Sequence, residues 1–139
     1  MLALAGCGGG AGLTKAEYEQ KLRSAGDEIS RAAGQLSTAR SKDEFKERVA
    51  NVQNAIDAAA HELDAITPPA DVAAPNDRLV HGLRGLARDF GQVKEAADRG
   101  IDAATTKARQ VSSGAASREA RQAIREIQRR GYDVGRLGA

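Results

Sequence analysis

The chain reads as all-α: an antiparallel helical bundle of three long helices plus one shorter C-terminal helix. Three observations predict this. Helix-favouring residues dominate, with 28 Ala among 139 residues, while aromatics are only 3%, Trp is absent and Pro occurs three times, a composition poorly suited to a sheet. Apolar residues recur at steps of three and four through long stretches. The links between those stretches are short, which favours antiparallel neighbours.

The first helix starts at Thr14-Lys15-Ala16-Glu17, a capping box with Leu13 and Tyr18 spaced as a hydrophobic staple. Its stripe is Tyr18, Leu22, Ala25, Ile29, Ala32 and Leu36. Gly26 and Gly34 each weaken it by about 1 kcal/mol relative to Ala. Residues 37–40 form a short connection. Ser41-Lys42-Asp43-Glu44 is a second capping box. It opens the clearest element of the chain, with Phe45, Val49, Val52, Ile56, Ala59, Leu63 and Ile66 on one face. Thr67-Pro68-Pro69 stops that helix, because Pro lacks a donor N–H and disfavours helix in the residue before it.

Pro75 suits the first turn of the third helix, and Asp77 suits its positive end. The stripe Leu79, Leu83, Leu86, Phe90, Val93 and Ala97 then slips by one residue and resumes at Ile101, Ala104, Ala108 and Val111. Such a slip is a stutter, and Gly100 sits on it, so a bend or local unwinding is expected within one long helix. Ser112-Ser113-Gly114 ends that helix. The fourth helix carries Ala116, Ala120, Ile124 and Ile127 and stops at Gly131. The tail 132–139 either folds back through Tyr132, Val134 and Leu137 or frays.

Ahead of the helices stands Leu4-Ala5-Gly6-Cys7, which resembles the bacterial lipobox. The residue types fit that chemistry. The Cys7 thiol would accept a diacylglycerol thioether, and the small residues before it would let the backbone enter a signal peptidase. Two or three acyl chains anchor stably where one is marginal, since each buried CH₂ contributes about 0.8 kcal/mol. The glycines at 8–10 and 12 read as a tether, and a flexible coil of about five residues spans on the order of 12 Å. A signal peptide also has a basic segment and an apolar run of roughly 7–15 residues. Only six residues precede Cys7, so the reading expects an upstream start codon, with Met1 inside the apolar run. The organisation is therefore 1–6 signal-peptide remnant, 7–13 lipidated Cys and tether, 14–131 helical domain, and 132–139 tail. The alternative is a cytoplasmic helical interaction protein in which these four residues coincide by chance.

A single Cys allows no internal disulfide, and no segment approaches the roughly 20 apolar residues of a spanning helix. Groups that converge for catalysis are not apparent, so the chain reads as a non-enzyme with no cofactor and no metal. His61 and His81 each lie two positions off their stripes, on outer faces. A metal pair across the proline hairpin is one reading. Two solvated imidazoles is the preferred one, since no Cys, Asp or Glu ligand spacing accompanies them. Asp57 and His61 read as an ordinary helix-surface pair. No phosphate-cradling glycine loop or nucleophile elbow occurs.

Charge is uneven. The net charge is +2, but residues 107–139 carry eight basic against three acidic side chains. Arg118, Arg121, Arg125 and Arg129 recur at three and four, which makes one basic helix face. The preferred reading is a solvated face. The next is contact with an anionic phospholipid surface or a wall polyanion, at about 1 kcal/mol per exposed cation. Nucleic acid is disfavoured because no aromatics interleave for base stacking.

With Leu4 to Cys7, the capped helices, and Ile66-Thr67-Pro68-Pro69-Ala70-Asp71 followed by Asp77-Arg78-Leu79-Val80-His81-Gly82-Leu83, the chain resembles the small helical cell-surface lipoproteins of high-GC Gram-positive bacteria. The resemblance implies lipid attachment at Cys7, recognition of Leu4, Ala5 and Gly6 by the signal peptidase, and a place on the outer face of the cytoplasmic membrane. The implied partners are that membrane and possible envelope proteins; the resemblance implies no activity. The bundle itself, lined by Ala, would leave a shallow groove for a partner helix or a lipid tail.

Overall fold

A computed structural model describes residues 12–139; Leu4, Ala5, Gly6, Cys7 and the glycines at 8–10 lie outside the described residues. The described chain is all-helical. Its α-helices are α1 (Lys15–Leu36), α2 (Lys42–Ala65), α3 (Ala73–Ala97), α4 (Ile101–Ser112) and α5 (Ala115–Arg129), with short 3₁₀ turns at Ala70–Val72 and Gly135–Gly138. Among the described residues there is no strand.

Both expected N-caps start helices, but only the first forms the reciprocal capping box. Glu17 N donates to Thr14 Oγ1 at 3.3 Å, and Thr14 N donates back to Glu17 Oε2 at 2.8 Å. At α2, Glu44 N donates to Ser41 Oγ at 3.1 Å, but the Glu44 carboxylate takes its bond from Arg40 N, one residue ahead of the cap. Either way, donors that lack a partner inside the first turn are satisfied.

The expected third helix is two helices. Gly100 has φ 119° and ψ 162°, a region essentially reserved for glycine. Its N–H still closes the end of α3 on Ala97 O, and its carbonyl starts α4 by accepting from Ala104 N. The slip in the apolar stripe is thus a full break, so the described chain has five helices where the sequence predicts four. Ile101, expected on the stripe, is 46% exposed, because the break rotates the first turn of α4 away from the core.

The main core gathers Tyr18 and Leu22 of α1, Ile56 and Leu63 of α2, Leu79 of α3 and Ile127 of α5. A second, smaller cluster joins Val49, Val93 and Ala97 to Ala104 and Val111 of α4. Leu36, Leu86 and Phe90, partly buried, pack against both. Between them α3 is the central element, touching α2, α4 and α5.

Its approach to α5 depends on small residues. A Cβ on Gly82 would lie 2.7 Å from Ala120 N, and one on Gly85 would lie 2.8 Å from Ala116 Cβ. Hydrogen in place of methyl therefore lets the two backbones meet. The tail folds back rather than fraying: Tyr132 and Val134 are buried, and the 3₁₀ turn lies on α1. Gly26 is where that turn crosses, since a Cβ there would sit 2.8 Å from Leu137 N.

Candidate functional site

α4 and α5 are joined at the turn Ser113-Gly114, and an open groove of about 770 Å³ lies between them. Arg118, Arg121 and Arg125 of α5 line it together with Arg109 of α4. Thr105, Ser112 and Ser113 add hydroxyls. No Asp or Glu is among its lining residues.

The local sequence explains how the arginines are held. The last carbonyls of a helix lack partners within it, and α4 ends at Ser112. Arg118 Nη1 donates to Ser113 O at 2.9 Å, and Arg121 Nη2 donates to Ser112 O. Arg121 also donates from Nη2 to Ser117 Oγ at 2.8 Å. Two guanidiniums from α5 thus cap the negative end of α4 and brace the turn. The guanidiniums of Arg109 and Arg125 make no hydrogen bond or ion pair among the described residues, although the Arg109 carbonyl accepts from Ser113 Oγ at 3.1 Å. All four groove arginines stand outside every ion pair among those residues.

Three of the four arginines read from the sequence therefore come together, and the fourth does not. Arg129 stands a turn further along α5, where a second groove of about 370 Å³ also receives Arg78, Glu119 and Glu126. There carboxylates offset part of the positive charge: Arg78 pairs with Glu126, Arg130 Nη2 reaches the same carboxylate at 3.2 Å, and Glu119 meets His81 Nδ1 at 2.9 Å. Periodicity along α5 could not reveal Arg109, which enters from the preceding helix across the Ser113-Gly114 turn. The only signal pointing to it was the basic excess of residues 107–139.

His61 and His81 are both exposed, as their off-stripe positions predict. Among the described residues, no three His, Cys, Asp or Glu side chains gather to hold a metal ion. No described helix is long and apolar enough to cross a membrane.

A polar cluster at the opposite end of the domain is architectural. Tyr18 and Tyr132 meet edge to face, with ring centroids 5.7 Å apart at 84°. Tyr132 Oη donates to Asp71 Oδ1 at 2.8 Å. Burial, then the Asp71 hydrogen bond and the nearby negative charges of Asp71 and Glu19, push the Tyr132 phenol up to about 12. Burial, and then the other phenol, raise Tyr18 as well. The chain enters the domain at this end, where Leu13 N donates to Thr67 O at 2.8 Å and Gly12 lies against Pro68.

In comparisons with known proteins, no family model, no curated protein and no solved structure matches this chain.

Proposed function

We propose that the protein is a lipid-anchored, extracytoplasmic helical module that acts by binding or scaffolding rather than by catalysis. Acyl chains on Cys7 hold it to the outer face of the cytoplasmic membrane, with Leu4, Ala5 and Gly6 serving the signal peptidase. The observation that carries this reading is the Leu4-Ala5-Gly6-Cys7 motif standing only a few residues ahead of a cleanly capped domain. Between Cys7 and the Thr14 cap, the interval is mostly glycine and alanine, a composition that suits a tether.

The geometry of entry agrees with an anchor. The Leu13–Thr67 hydrogen bond fixes where the chain joins the body, beside the Pro68-Pro69 link. The domain would then sit with the start of α1 and the end of α2 toward the membrane. We infer also that α1, α2 and α3 run antiparallel. Lys46, early in α2, pairs with Asp98 just beyond α3 at 2.6 Å, while Asn76, early in α3, reaches Leu63 late in α2 at 3.1 Å.

The test is metabolic labelling with a fatty-acid analogue, using the complete open reading frame in a bacterium that processes lipoproteins. Wild type enters the membrane fraction carrying label, and Cys7→Ser stays unlabelled and leaves that fraction. If wild type is unlabelled and retains its first six residues, the anchored reading is wrong and the cytoplasmic interaction protein replaces it.

A further inference from the structure

We propose that the groove between α4 and α5 is a binding site for a multiply charged, phosphate-bearing anion. Arg109 and Arg125 supply the contacts that hold it, and Arg118 and Arg121 form its braced floor. The inference goes beyond the membrane anchor and does not depend on acylation of Cys7.

Charge balance is the first support. Nineteen acidic residues are spread over the chain, and Arg23, Arg48, Arg78, Arg84, Arg130 and Arg136 have carboxylate partners. Among the described residues Arg31, Arg40, Arg88, Arg99 and Arg129 are unpaired, and they line no shared carboxylate-free groove. The four groove arginines have no carboxylate partner among the described residues either. Four like charges around one concavity, with no carboxylate in its lining, concentrate a positive potential far above that of a chain with net charge +2. Such an arrangement weakens the fold through self-repulsion, and an anion in the groove relieves it.

Donor geometry is the second support. A guanidinium offers five N–H groups in a planar fork that matches two oxygens of one phosphate. Arg118 spends one nitrogen on Ser113 O, so donors remain for a ligand. The hydroxyls of Thr105 and Ser112 add neutral donors at the same rim, whereas Ser113 Oγ already donates to Arg109 O at 3.1 Å. Wall hydroxyls and forked cations together suit tetrahedral oxyanions better than a single carboxylate.

The adjacent groove supplies an internal contrast. It shares Arg125 but contains Glu119 and Glu126, and Arg78 is already paired with Glu126, so carboxylates there offset the positive charge that stands unopposed in the first groove. Arg129, which lies there, therefore does not belong to the anion site.

The phosphate could belong to a soluble oligophosphate or to an anionic lipid headgroup, and the experiment separates them. The full 139-residue chain carrying Cys7→Ser is titrated with inorganic pyrophosphate at constant ionic strength while backbone amide shifts are followed. Shifts are expected at residues 105–125 and not along α1. Removing each contacting guanidinium weakens binding about tenfold, so Arg109→Gln/Arg125→Gln loses about a hundredfold in affinity while Arg129→Gln retains it. Circular dichroism melts verify that every variant is folded.

In the second arm, vesicles of phosphatidylglycerol are compared with phosphatidylcholine by flotation. Capture by the anionic vesicles alone, competed by pyrophosphate and lost in the double variant, assigns the headgroup as the source. Pyrophosphate binding without vesicle capture assigns a soluble phosphate. The proposal is overturned if neither probe binds, if shifts scatter over all basic surfaces, or if the double variant binds like wild type. None of these failures touches the labelling result at Cys7.

Discussion

Tyr18 of α1 and Asn76 of α3 are joined by a buried 2.8 Å hydrogen bond from the phenol hydroxyl to the amide oxygen. The amide nitrogen of Asn76 in turn donates to Leu63 O of α2 at 3.1 Å. Leu63 lies in the last turn of α2, where its carbonyl has no partner within the helix. One side chain, 2% exposed, therefore ties three helices and caps one of them.

Removing that side chain orphans two buried groups at once. Asn76→Ala is expected to cost about 2–5 kcal/mol, and Tyr18→Phe, which orphans only the amide oxygen, about 1–3 kcal/mol. Urea unfolding measures both. In a double-mutant cycle, Tyr18→Phe/Asn76→Ala should cost less than the two single changes added together, because only Leu63 O, and neither member of the Tyr18–Asn76 pair, is then left unpaired.

The two tyrosines set an alkaline limit on stability. Both phenols are raised above their ordinary value of 10, so the folded state holds protons that the unfolded state releases. For groups raised in this way, the stabilisation is complete below pH 10 and is lost as pH climbs toward the folded value, about 12 for Tyr132. Tyrosinate absorbance should therefore stay low past pH 10 and rise together with loss of helicity. Early titration of either phenol in a chain that remains helical would contradict this.

Glycines of one sequence type should respond with opposite signs. Gly34 has nothing within 4 Å of an added Cβ, so Gly34→Ala should stabilise α1 by up to about 1 kcal/mol. Gly82 meets Ala120 backbone, so Gly82→Ala should force α3 and α5 apart at a cost of about 1–3 kcal/mol. Thermal melts of the two variants should move in opposite directions.

At the break between α3 and α4, a side chain is strained whatever space surrounds it. Gly100→Ala should cost about 1–3 kcal/mol through its backbone conformation. The loss should fall mainly on α4, which buries only Ala104 and Val111. Hydrogen exchange should find α4 amides opening more readily than those of α3, and still more readily in the variant.

The legible parts of this fold were those written in side-chain type. Thr14, Ser41 and the stripe from Val49 to Leu63 each state their role locally, through a cap or a period. The second face of α3 was not legible, because Gly82 and Gly85 carry no hydropathy. They register in sequence only as weak helix formers, although their value is the space they leave for Ala116 and Ala120. Gly26 and Gly34 look alike in sequence and differ only in whether the tail crosses them. The candidate site was half legible for a similar reason. Arg118, Arg121 and Arg125 share a helix, so periodicity groups them, whereas Arg109 joins through a turn. Arg129 keeps the period and yet lies beyond the reach of α4, among carboxylates.

The fold over Gly26 also has a consequence in time. Arg23 and its partner Asp133 are 110 residues apart, and Leu137 follows later still, so α1 waits for the final segment to emerge from the ribosome before its strip around Gly26 is covered. Until then a nascent chain offers that strip to chaperones. A stop codon placed before Val134 would leave it permanently wet, turning a finished protein into one that quality control treats as unfinished.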